Sequence, residues 1–484
     1  MANASSITKR YWLGGAKDST QTRFFVNALD RLGWLEGDAT HWDSAWFTEM
    51  PPARVFAALT PSQSVNHIPG NNQITVKSAL PQTLYAAEKR WQNLTQKTYP
   101  SDRASYIPAS FNLPEDDAAF QRYASENPTA VWIVKPANGA RGEGIYLLDA
   151  ANQVPRTPGW VVQHYIDQPH TVEGYKYVLR LYVLVTSIEP LRIDRFYEGS
   201  VKLASAPYDP NERQNPYAFL TNPDVNARNP QAPVIFQPLA SYCEWLRDQG
   251  HDADALFQEI DDLIVRTVMA ACEGMRKRCR AEHGVAGQTY ELFGLDCLVD
   301  ASLRPWLLEC NLSPSLEICA QASTGGREER AMKQALIEGL IKQVGLDSTA
   351  SRQDSGYRNL FPGKDPMRYL PRFVAPSAID QAAANDVLGT HWSPRFVPWQ
   401  VEERYHGSTL TLYHPPTEQT FAPNPTASWI WLQAVRGVDV DTLISELQQS
   451  VASQPGVTHE QISDAVWAAL GEWSRAGLLR QCDD

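Results

Sequence analysis

The sequence predicts an α+β protein with a mixed core and a small C-terminal domain that is mainly helical. Three observations support this fold class. Strand patterns alternate with helical patterns across residues 115–345, and an apolar hairpin interrupted by polar residues spans 291–317. Within residues 399–479, a strand pattern is followed by three amphipathic helices. These features predict several packed domains.

The length and composition indicate more than one core. The chain has 484 residues, of which 43% are hydrophobic, with 15 Trp and 19 Tyr. We expect an N-terminal domain over residues 1–114, a core over 115–345, a linker punctuated by prolines over 346–398 and a C-terminal domain over 399–484.

Charge and cysteine usage limit the possible partners and location. The formal net charge of −12 disfavours nucleic acid and an anionic membrane as main partners. The seven cysteines form no CxxC pair, which suits a reducing compartment. The N-terminus lacks an apolar signal, and no apolar run is long enough to span a bilayer. The sequence therefore predicts a cytoplasmic protein.

The hairpin carries oxygen ligands among apolar residues. Two apolar runs flank a polar turn at 300–305, so we expect two antiparallel strands. If the hairpin is symmetric, Asp296 lies across from Glu309, and Asn311 shares that face. An oxygen-only set suits Mg²⁺, which leaves its other positions to water and substrate phosphates. The alternative is a solvated hairpin, but facing carboxylates among apolar neighbours would repel without a cation.

A glycine-rich loop follows a predicted strand in AVWIVKPANGARGEGIYLLD, residues 130–149. Lys135 ends the strand, and Gly139, Gly142 and Gly144 lie in the loop. Glycines let backbone N–H groups approach phosphate oxygens, and the lysine could add a charge. The spacing matches neither the Walker nor the Rossmann pattern, so a flexible hairpin loop is the alternative.

A long strand is predicted over residues 175–193. Its apolar face is formed by Tyr177, Leu179, Leu181, Val183 and Val185. Lys176, Arg180 and Tyr182 lie on the other face, and two cations there suggest a bound anion. The alternative is an edge strand whose Lys and Arg are solvated.

The C-terminal residues predict a small winged helix. STLTLYHPP near Ser408 alternates as a strand does, and TASWIWLQAVRGVDVDTLISELQQSV predicts two helices. One helical face would contain Val440, Leu443, Ile444, Leu447 and Val451. Thr458 and Gln461 form a capping-box pattern that opens a third helix, which we expect to stop at Gly477. The apolar face of this third helix would contain Ile462, Val466, Ala469 and Trp473.

Further motifs complete a recognisable order. The glycine loop is followed by VVQHYI at 161–166, the strand YKYVLRLYVLV, FLTN at 219–222, and then FGLD and PWLLECNLSPS in the hairpin. NHIPG and Lys77 precede them. This order resembles the tubulin tyrosine ligase family of ATP-grasp enzymes over roughly residues 10–345. The resemblance implies an ATP-grasp fold, with ATP and Mg²⁺ as cofactors.

The resemblance also implies roles for matching positions. Lys77 and Lys135 would contact ATP phosphates beside Gly142 and Gly144, and the adenine would be surrounded by Gln163, His164, Tyr165 and Ile166. Mg²⁺ would be held by Asp296, Glu309 and Asn311. The residues that act at the reacting end would be Lys176, Arg180, Lys202 and Asn222. Two positions depart from the family pattern. Val178 stands where an acidic residue is usual, and Lys202 where an Arg is usual, so the acceptor side matches less well than the ATP side.

The C-terminal text APNPTASWIW and EWSRAGLL resembles the PqqD-like family, which captures leader segments of ribosomally made peptides. A partner peptide would add as a strand to the sheet edge and lie beside the last helix. The alternative is a domain that only packs on the ligase core. DNA recognition is disfavoured because the last helix carries Glu472 and one basic residue, Arg475.

Together these resemblances imply a carboxylate–amine ligase with an acyl-phosphate intermediate. It would join an amino acid or another amine to a peptide or protein, including one that bears a leader segment, and the C-terminal domain would recruit that acceptor. Two alternatives remain open: a nucleotide-binding interaction protein without ligase activity, and a free-standing ligase that forms amides on small molecules.

Overall fold

A computed structural model describes most of the chain. The described residues are 8–15, 19–95, 106–137, 139, 141–188, 191–282, 289–361, 395–398, 401–406, 409–415, 417–435, 438, 440–451, 458–476 and 478–482. They divide into two compact units, of which the first comprises residues 1–87, 100–188 and 193–359 and the second residues 88–99, 189–192 and 360–484. The predicted four-part division of the chain stays a prediction.

Strands and helices alternate through the chain, as expected of a mixed α and β protein. Up to residue 361 the strands are β1 (Arg10–Gly14), β2 (Leu35–Glu36), β3 (Ser44–Phe47), β4 (Ser64–Asn66), β5 (Ser110–Leu113), β6 (Trp132–Pro136), β7 (Tyr146–Leu148), β8 (Trp160–His164), β9 (Thr171–Val172), β10 (Tyr175–Ile188), β11 (Leu191–Leu203), β12 (Gln237–Pro238), β13 (Thr289–Val299), β14 (Pro305–Leu312) and β15 (Tyr357–Phe361). The helices are α1 (Ser19–Arg31), α2 (Ala53–Ala57), α3 (Asn72–Thr75), α4 (Ala79–Thr95), α5 (Asp117–Glu126), α6 (Pro216–Phe219), α7 (Pro223–Asn226), α8 (Leu239–Asp248), α9 (Ala253–Glu282) and α10 (Gly326–Gln343). Short 3₁₀ turns cover Ala151–Gln153, Ala322–Thr324 and Arg352–Ser355.

An eleven-stranded sheet forms the centre of the first unit. Its main order is β12-β11-β10-β13-β4-β3-β1-β2, with β14 on β13, β15 on β11 and β9 on β10. The single strand predicted over 175–193 is wrong, because β10 ends at Ile188 and β11 begins at Leu191. The edge-strand alternative is also wrong, since β10 lies between β11 and β13. Lys176 and Arg180 are consequently buried rather than solvated.

The predicted hairpin is formed by β13 and β14, and Asp296 pairs with Glu309 as expected. The pairing arises differently from the prediction. Beside the turn, Val299 pairs with Pro305, a register that would continue to pair Asp296 with Leu308. A bulge between Asp296 and Cys297 shifts the register by one residue and brings Glu309 opposite Asp296.

A second sheet, β5-β8-β6-β7, carries the glycine-rich loop between β6 and β7, which confirms the predicted strand–loop–strand. It packs on α5 through aromatic side chains. The ring centroids of Phe120 and Trp132 lie 4.8 Å apart in an edge-to-face arrangement. Its inner strands β6 and β8 pair antiparallel, with Lys135 opposite Val161 and Ile133 opposite Gln163.

Helices cover the large sheet. Helix α9 runs from Ala253 to Glu282, and α10 packs with α1 in an apolar core that includes Phe25, Leu336 and Leu340. Within the predicted linker, residues 352–361 form a 3₁₀ turn and β15, while 362–394 lie outside the described residues.

The second unit contains the C-terminal elements. They are β16 (Arg395–Pro398), β17 (Glu402–His406), β18 (Thr409–His414), β19 (Gln419–Phe421), α11 (Pro425–Val435), α12 (Val440–Val451), α13 (His459–Arg475) and β20 (Leu479–Cys482). Strands β17, β18 and β19 form one sheet, and β16 pairs with β20. The predicted strand and three helices are confirmed, as is the capping box of Thr458 and Gln461. Gly477, the predicted stop, lies outside the described residues.

Two further observations concern the helices and the cysteines of the described residues. Within the described ranges, no helix combines the length and apolar character needed to cross a bilayer. No disulfide joins the six cysteines whose side chains the structure describes.

Candidate functional site

A cavity of about 570 Å³ in the first unit brings the predicted site residues together. Its lining includes Lys77, Lys135, Gly142, Gln163, His164, Tyr165, Ile166, Lys176, Arg180, Lys202, Asn222, Asp296, Glu309 and Asn311. Gly144 does not line it; its backbone φ of +69° lies in the left-handed region, and an added Cβ would meet Pro136 at 2.9 Å. Residues separated by more than 200 positions in the chain therefore share one space.

A row of charged side chains crosses three adjacent strands. Arg180 on β10 pairs with Asp296 on β13, which in turn pairs with Glu309 on β14. Arg180 donates from Nε to Asp296 Oδ1 at 2.6 Å and from a terminal nitrogen to Oδ2 at 3.0 Å. Lys202 Nζ donates to both oxygens, at 3.1 and 3.0 Å. Asp296 is thus the centre of a buried charge cluster.

The cations control the ionisation of this cluster. Burial opposes ionisation of Asp296, but Arg180 and Lys202 outweigh it and hold the pKa of Asp296 well below its usual range. Burial likewise opposes the charge on Arg180, yet Asp296 raises the pKa of Arg180. Burial and the neighbouring Arg180 lower the pKa of Lys202. Asp296 therefore has protein counter-ions, and the repulsion between the two facing carboxylates does not by itself demand a metal.

The glycine at position 294 makes this arrangement possible. A Cβ on Gly294 would lie 3.3 Å from Arg180 Cδ and 2.6 Å from Pro314 Cβ. Beside it, Asn311 Nδ2 donates to the carbonyl of Gly294 and to Glu309 Oε1, each at 3.1 Å. These two bonds leave Asn311 Oδ1 as the acceptor atom of the amide.

Lys135 of the second sheet and Lys77, which lies between α3 and α4, both line the cavity. Lys135 Nζ donates to Gln163 Oε1 at 2.7 Å, and Gln163 Nε2 donates to Ser110 Oγ at 2.8 Å. Burial lowers the pKa of Lys135 to about 8, while Glu309 opposes the shift. Lys77 Nζ donates to the carbonyl of Gly139 in the glycine-rich loop. Lys77 thus contacts the glycine-rich loop, and Lys135 contacts the neighbouring strand β8. Two ammonium groups in these positions could neutralise the charge of a phosphate bound beside the loop.

Aromatic side chains surround a third lysine. Lys176 Nζ donates to the Tyr165 hydroxyl at 2.8 Å and lies 4.2 Å from the centroid of that ring. Burial, reinforced by Lys135, lowers the pKa of Lys176 to about 7. Next along the chain, His164 Nδ1 lies 3.0 Å from the Tyr123 hydroxyl, and burial lowers the pKa of His164. This part of the cavity is apolar enough to disfavour charge.

Asn222 connects the glycine-rich loop with α7. Its Oδ1 accepts a hydrogen bond from the backbone of Asp224 at 2.8 Å and caps that short helix. Gly142 has a φ of +77°, and an added Cβ would lie 2.9 Å from Val225. Only glycine combines that backbone with so close an approach to α7.

The sequence analysis missed several lining residues. Gln21 of α1 and both Glu329 and Lys333 of α10 line the cavity. The four-residue spacing of Glu329 and Lys333 is typical of an exposed helical pair, so it carried no functional signal. Gln21 lies far from every motif in the chain.

The donor set bears on which metal could bind. In the described part of the chain, no three His, Cys, Asp or Glu side chains form a metal-binding group. The candidate set contains two carboxylates and one carboxamide, and it therefore offers oxygen donors alone. Such donors suit a hard cation such as Mg²⁺ and not zinc.

Comparison with known proteins identifies the family. The model of the "Tubulin-tyrosine ligase family" matches residues 57–351, which is more than half of the chain. The mixed α/β architecture is consistent with a fold of the ATP-grasp type. No comparison identifies the C-terminal unit as PqqD-like.

Several curated relatives are similar over much of this chain. Tubulin polyglutamylase TTLL5 of Mus musculus is 28% identical over 398 residues, covering 79% of this chain and 29% of the relative. Tubulin polyglutamylase TTLL13 of Mus musculus is 30% identical over 384 residues, with 75% and 44% covered. Tubulin monoglutamylase TTLL4 of Homo sapiens is 32% identical over 288 residues, with 57% and 23% covered. The chain thus spans less than half the length of these relatives. The residues matched by the family model, 57–351, include every lining residue of the cavity except Gln21, and the chain belongs to the tubulin-tyrosine ligase family.

Proposed function

We propose that this chain is an ATP-dependent carboxylate–amine ligase that adds an amino acid to a peptide or protein. The observation that carries the proposal is the charge cluster of Arg180, Lys202, Asp296 and Glu309 in one cavity with the glycine-rich loop. Anionic phosphates and an activated carboxylate both need such cations. The relatives are named polyglutamylases and monoglutamylases, so glutamate is the first amino acid to test.

The proposed reaction proceeds in two steps. A substrate carboxylate attacks the γ-phosphorus of ATP, forming an acyl phosphate and releasing ADP. The amine then attacks the acyl carbon, inorganic phosphate leaves, and the amine loses its proton to water. Lys77 and Lys135 would neutralise the nucleotide phosphates while Gln163, His164, Tyr165 and Ile166 surround the adenine. Lys176, Arg180, Lys202 and Asn222 would stabilise charge at the reacting end.

The residues fit a magnesium ion. Asp296, Glu309 and the Oδ1 of Asn311 would hold it through oxygen atoms. When bound, Mg²⁺ supplies charge neutralisation at the transferred phosphoryl group. Arg180 and Lys202 share Asp296, so these two cations would stay within reach of the same phosphate. Lys202 bonds both carboxylate oxygens, as the fork of an arginine would, but with a single nitrogen.

The second unit would recruit the acceptor, as a PqqD-like winged helix would. Support comes from the three-stranded sheet of described strands, whose edges are β17 and β19, together with three helices. An extended peptide could add to either edge. A unit that only packs on the ligase core is the alternative; persistence of peptide binding after deletion of residues 399–484 would favour it.

We also infer a reducing compartment, with the cytoplasm as the simplest choice. The inference is supported by the six described cysteine side chains, which form no disulfide.

The deciding experiment measures ADP release with Mg²⁺-ATP against each amino acid, with and without a pool of peptides. Glu309→Gln should abolish release because it removes charge beside the metal. Asp254→Asn is the matched control, since that exposed carboxylate is 79% accessible and lies outside the cavity lining. Release that needs both amino acid and peptide supports the proposal. Bound nucleotide without stimulated release favours an interaction protein, and release with an amino acid alone favours a small-molecule ligase.

A further inference from the structure

The loop between β14 and α10 forms one wall of the cavity. Its lining residues are Ser313, Pro314, Ser315, Glu317, Cys319 and Ala320. Residues 313–321 contain neither helix nor strand, so regular backbone pairing does not hold them. Side chains from elsewhere must therefore satisfy and position this backbone.

Two side chains of α10 hold the loop. Glu329 Oε2 accepts hydrogen bonds from the backbone N–H groups of Cys319 and Ala320, at 2.9 and 3.0 Å. Lys333 Nζ donates to the carbonyl of Glu317 and, at 2.7 Å, to Glu329 Oε1. One carboxylate and one ammonium thereby tie three loop residues to a single helical turn.

The pair differs from an ordinary surface pair at four-residue spacing. The side chains of Lys333 and Glu329 are only 6% and 7% exposed. Burying two charges carries a desolvation cost that their attraction only partly offsets, so such a pair contributes little net stability compared with apolar residues. Its value here is that it fixes one conformation of the loop.

A third side chain holds the same loop from α1. Gln21 Oε1 accepts from the backbone N–H of Leu316 at 3.0 Å, and Gln21 Nε2 donates to Ser315 Oγ at 3.3 Å. Gln21, Glu329 and Lys333 also line the cavity themselves. The wall is thus fixed from two helices that are distant in sequence.

We propose that Glu329 and Lys333 are positioning residues, which fix the loop that faces the substrates beyond the nucleotide. The inference rests on the proposed ligase function. The loop begins two residues after Asn311, at the candidate metal site, whereas Lys135 and Gln163 lie on the second sheet. Its displacement therefore affects the place where carboxylate and amine meet and leaves the nucleotide contacts intact.

The test compares three variants. Lys333→Met removes the tether to Glu317, and Lys333→Met/Glu329→Gln removes both charges while keeping an oxygen that accepts from the loop. Arg195→Met is the matched control: Arg195 forms a buried pair with Asp261 at 2.7 Å, outside the cavity lining. In both single variants the remaining carboxylate keeps other donors, namely Arg358 for Asp261 and the two loop N–H groups for Glu329.

Three quantities are measured: amide hydrogen exchange of residues 313–320, the Kd for Mg²⁺-ADP, and kcat and KM for glutamate in ADP release. We expect faster exchange of the loop in both Lys333 variants. Their kcat/KM for glutamate should fall roughly 10- to 100-fold, by the usual effect of a small misplacement, with little change in Kd for Mg²⁺-ADP. The control should change neither loop exchange nor kcat/KM.

The inference is overturned if kcat/KM is unchanged, if Arg195→Met lowers it equally, or if nucleotide affinity falls in parallel. The double variant separates positioning from folding, because it leaves no unpaired charge to destabilise the protein. If no amino acid stimulates ADP release by the unmodified protein, the proposed function fails independently. In that case amide hydrogen exchange of residues 313–320 tests the positioning role alone. Faster exchange in the Lys333 variants supports it, and unchanged exchange overturns it.

Discussion

Asp296→Asn should destabilise the first unit strongly, whereas Glu309→Gln should not. Asp296 accepts hydrogen bonds from Arg180 and Lys202, and all three side chains are at most 13% exposed. An asparagine cannot balance those two charges and would leave both buried cations without the carboxylate that accepts their hydrogen bonds. Glu309 is only partly buried. Neutralising it leaves Arg180 and Lys202 paired with Asp296.

The expected loss follows from the geometry. The closest N–O distances are 2.6 Å for Arg180 and 3.0 Å for Lys202. At about 3 Å and an effective dielectric constant of about 20, each attraction is roughly 5 kcal/mol before desolvation is subtracted. Because breaking a buried pair typically costs about 3–5 kcal/mol, we expect Asp296→Asn to lower the free energy of unfolding by that amount. Glu309→Gln should lower it by less than about 1 kcal/mol.

Urea unfolding followed by tryptophan fluorescence measures these losses. Because the chain has two compact units, the transition of the first unit is identified in the unsubstituted protein by its shift on adding Mg²⁺-ADP. Adding Lys202→Met to Asp296→Asn should restore part of the stability, since one stranded cation is removed. Equal losses for Asp296→Asn and Glu309→Gln, or a loss below about 1 kcal/mol for Asp296→Asn, would refute the assignment of Asp296 as the charge centre.

Three further predictions concern the nucleotide and the second unit. The pKa of Lys135, which we place at the nucleotide phosphates, is lowered to about 8, so this lysine loses its charge as the pH rises from 7 to 9. Mg²⁺-ADP affinity should therefore fall with rising pH, by at most about tenfold per pH unit. A titration showing tighter binding at pH 9 would contradict this. Gly142→Ala should weaken Mg²⁺-ADP binding by roughly tenfold, because the added Cβ contacts α7 beside the cavity. Gly159→Ala introduces similar left-handed strain, but its Cβ meets open space outside the cavity lining, so this control should bind Mg²⁺-ADP normally. The ring of Trp473 packs edge-to-face on the buried ring of Trp431. Trp473→Ala should therefore lower the free energy of unfolding of the second unit by about 3–5 kcal/mol, as measured by calorimetry. A binding titration should show unchanged affinity for Mg²⁺-ADP.

Much of the local structure could be predicted because each signal was itself local. The sequence of the hairpin consists of two apolar runs on either side of a polar turn. The last helix begins with a capping box formed by Thr458 and Gln461. Alternation also indicated correctly that Arg180 and Lys176 share one face of a strand. The end of β10 at Ile188 and the start of β11 at Leu191 were missed, since apolar residues are present at both ends.

The charge partners could not be predicted because they depend on strand order. Arg180 and Asp296 are 116 positions apart and meet only because β10 lies beside β13. The burial of Glu329 and Lys333 could not be predicted from the sequence either, because their four-residue spacing is typical of a pair on a solvated helix face. Local periodicity assigns a residue to a face, but long-range packing decides what that face meets.

The bulge in the hairpin has a consequence for how its sequence should be compared with others. On the turn side, Pro305 and Leu307 are the buried residues of β14, whereas past the bulge the buried residue is Cys310. The inward-facing set thus changes from odd to even positions within one strand. An alignment that removes one residue near Leu308 would keep the apolar pattern beside the turn and turn both Glu309 and Asn311 toward the opposite side of the sheet. The length of this short segment is therefore as much a part of the site as the identity of its acids.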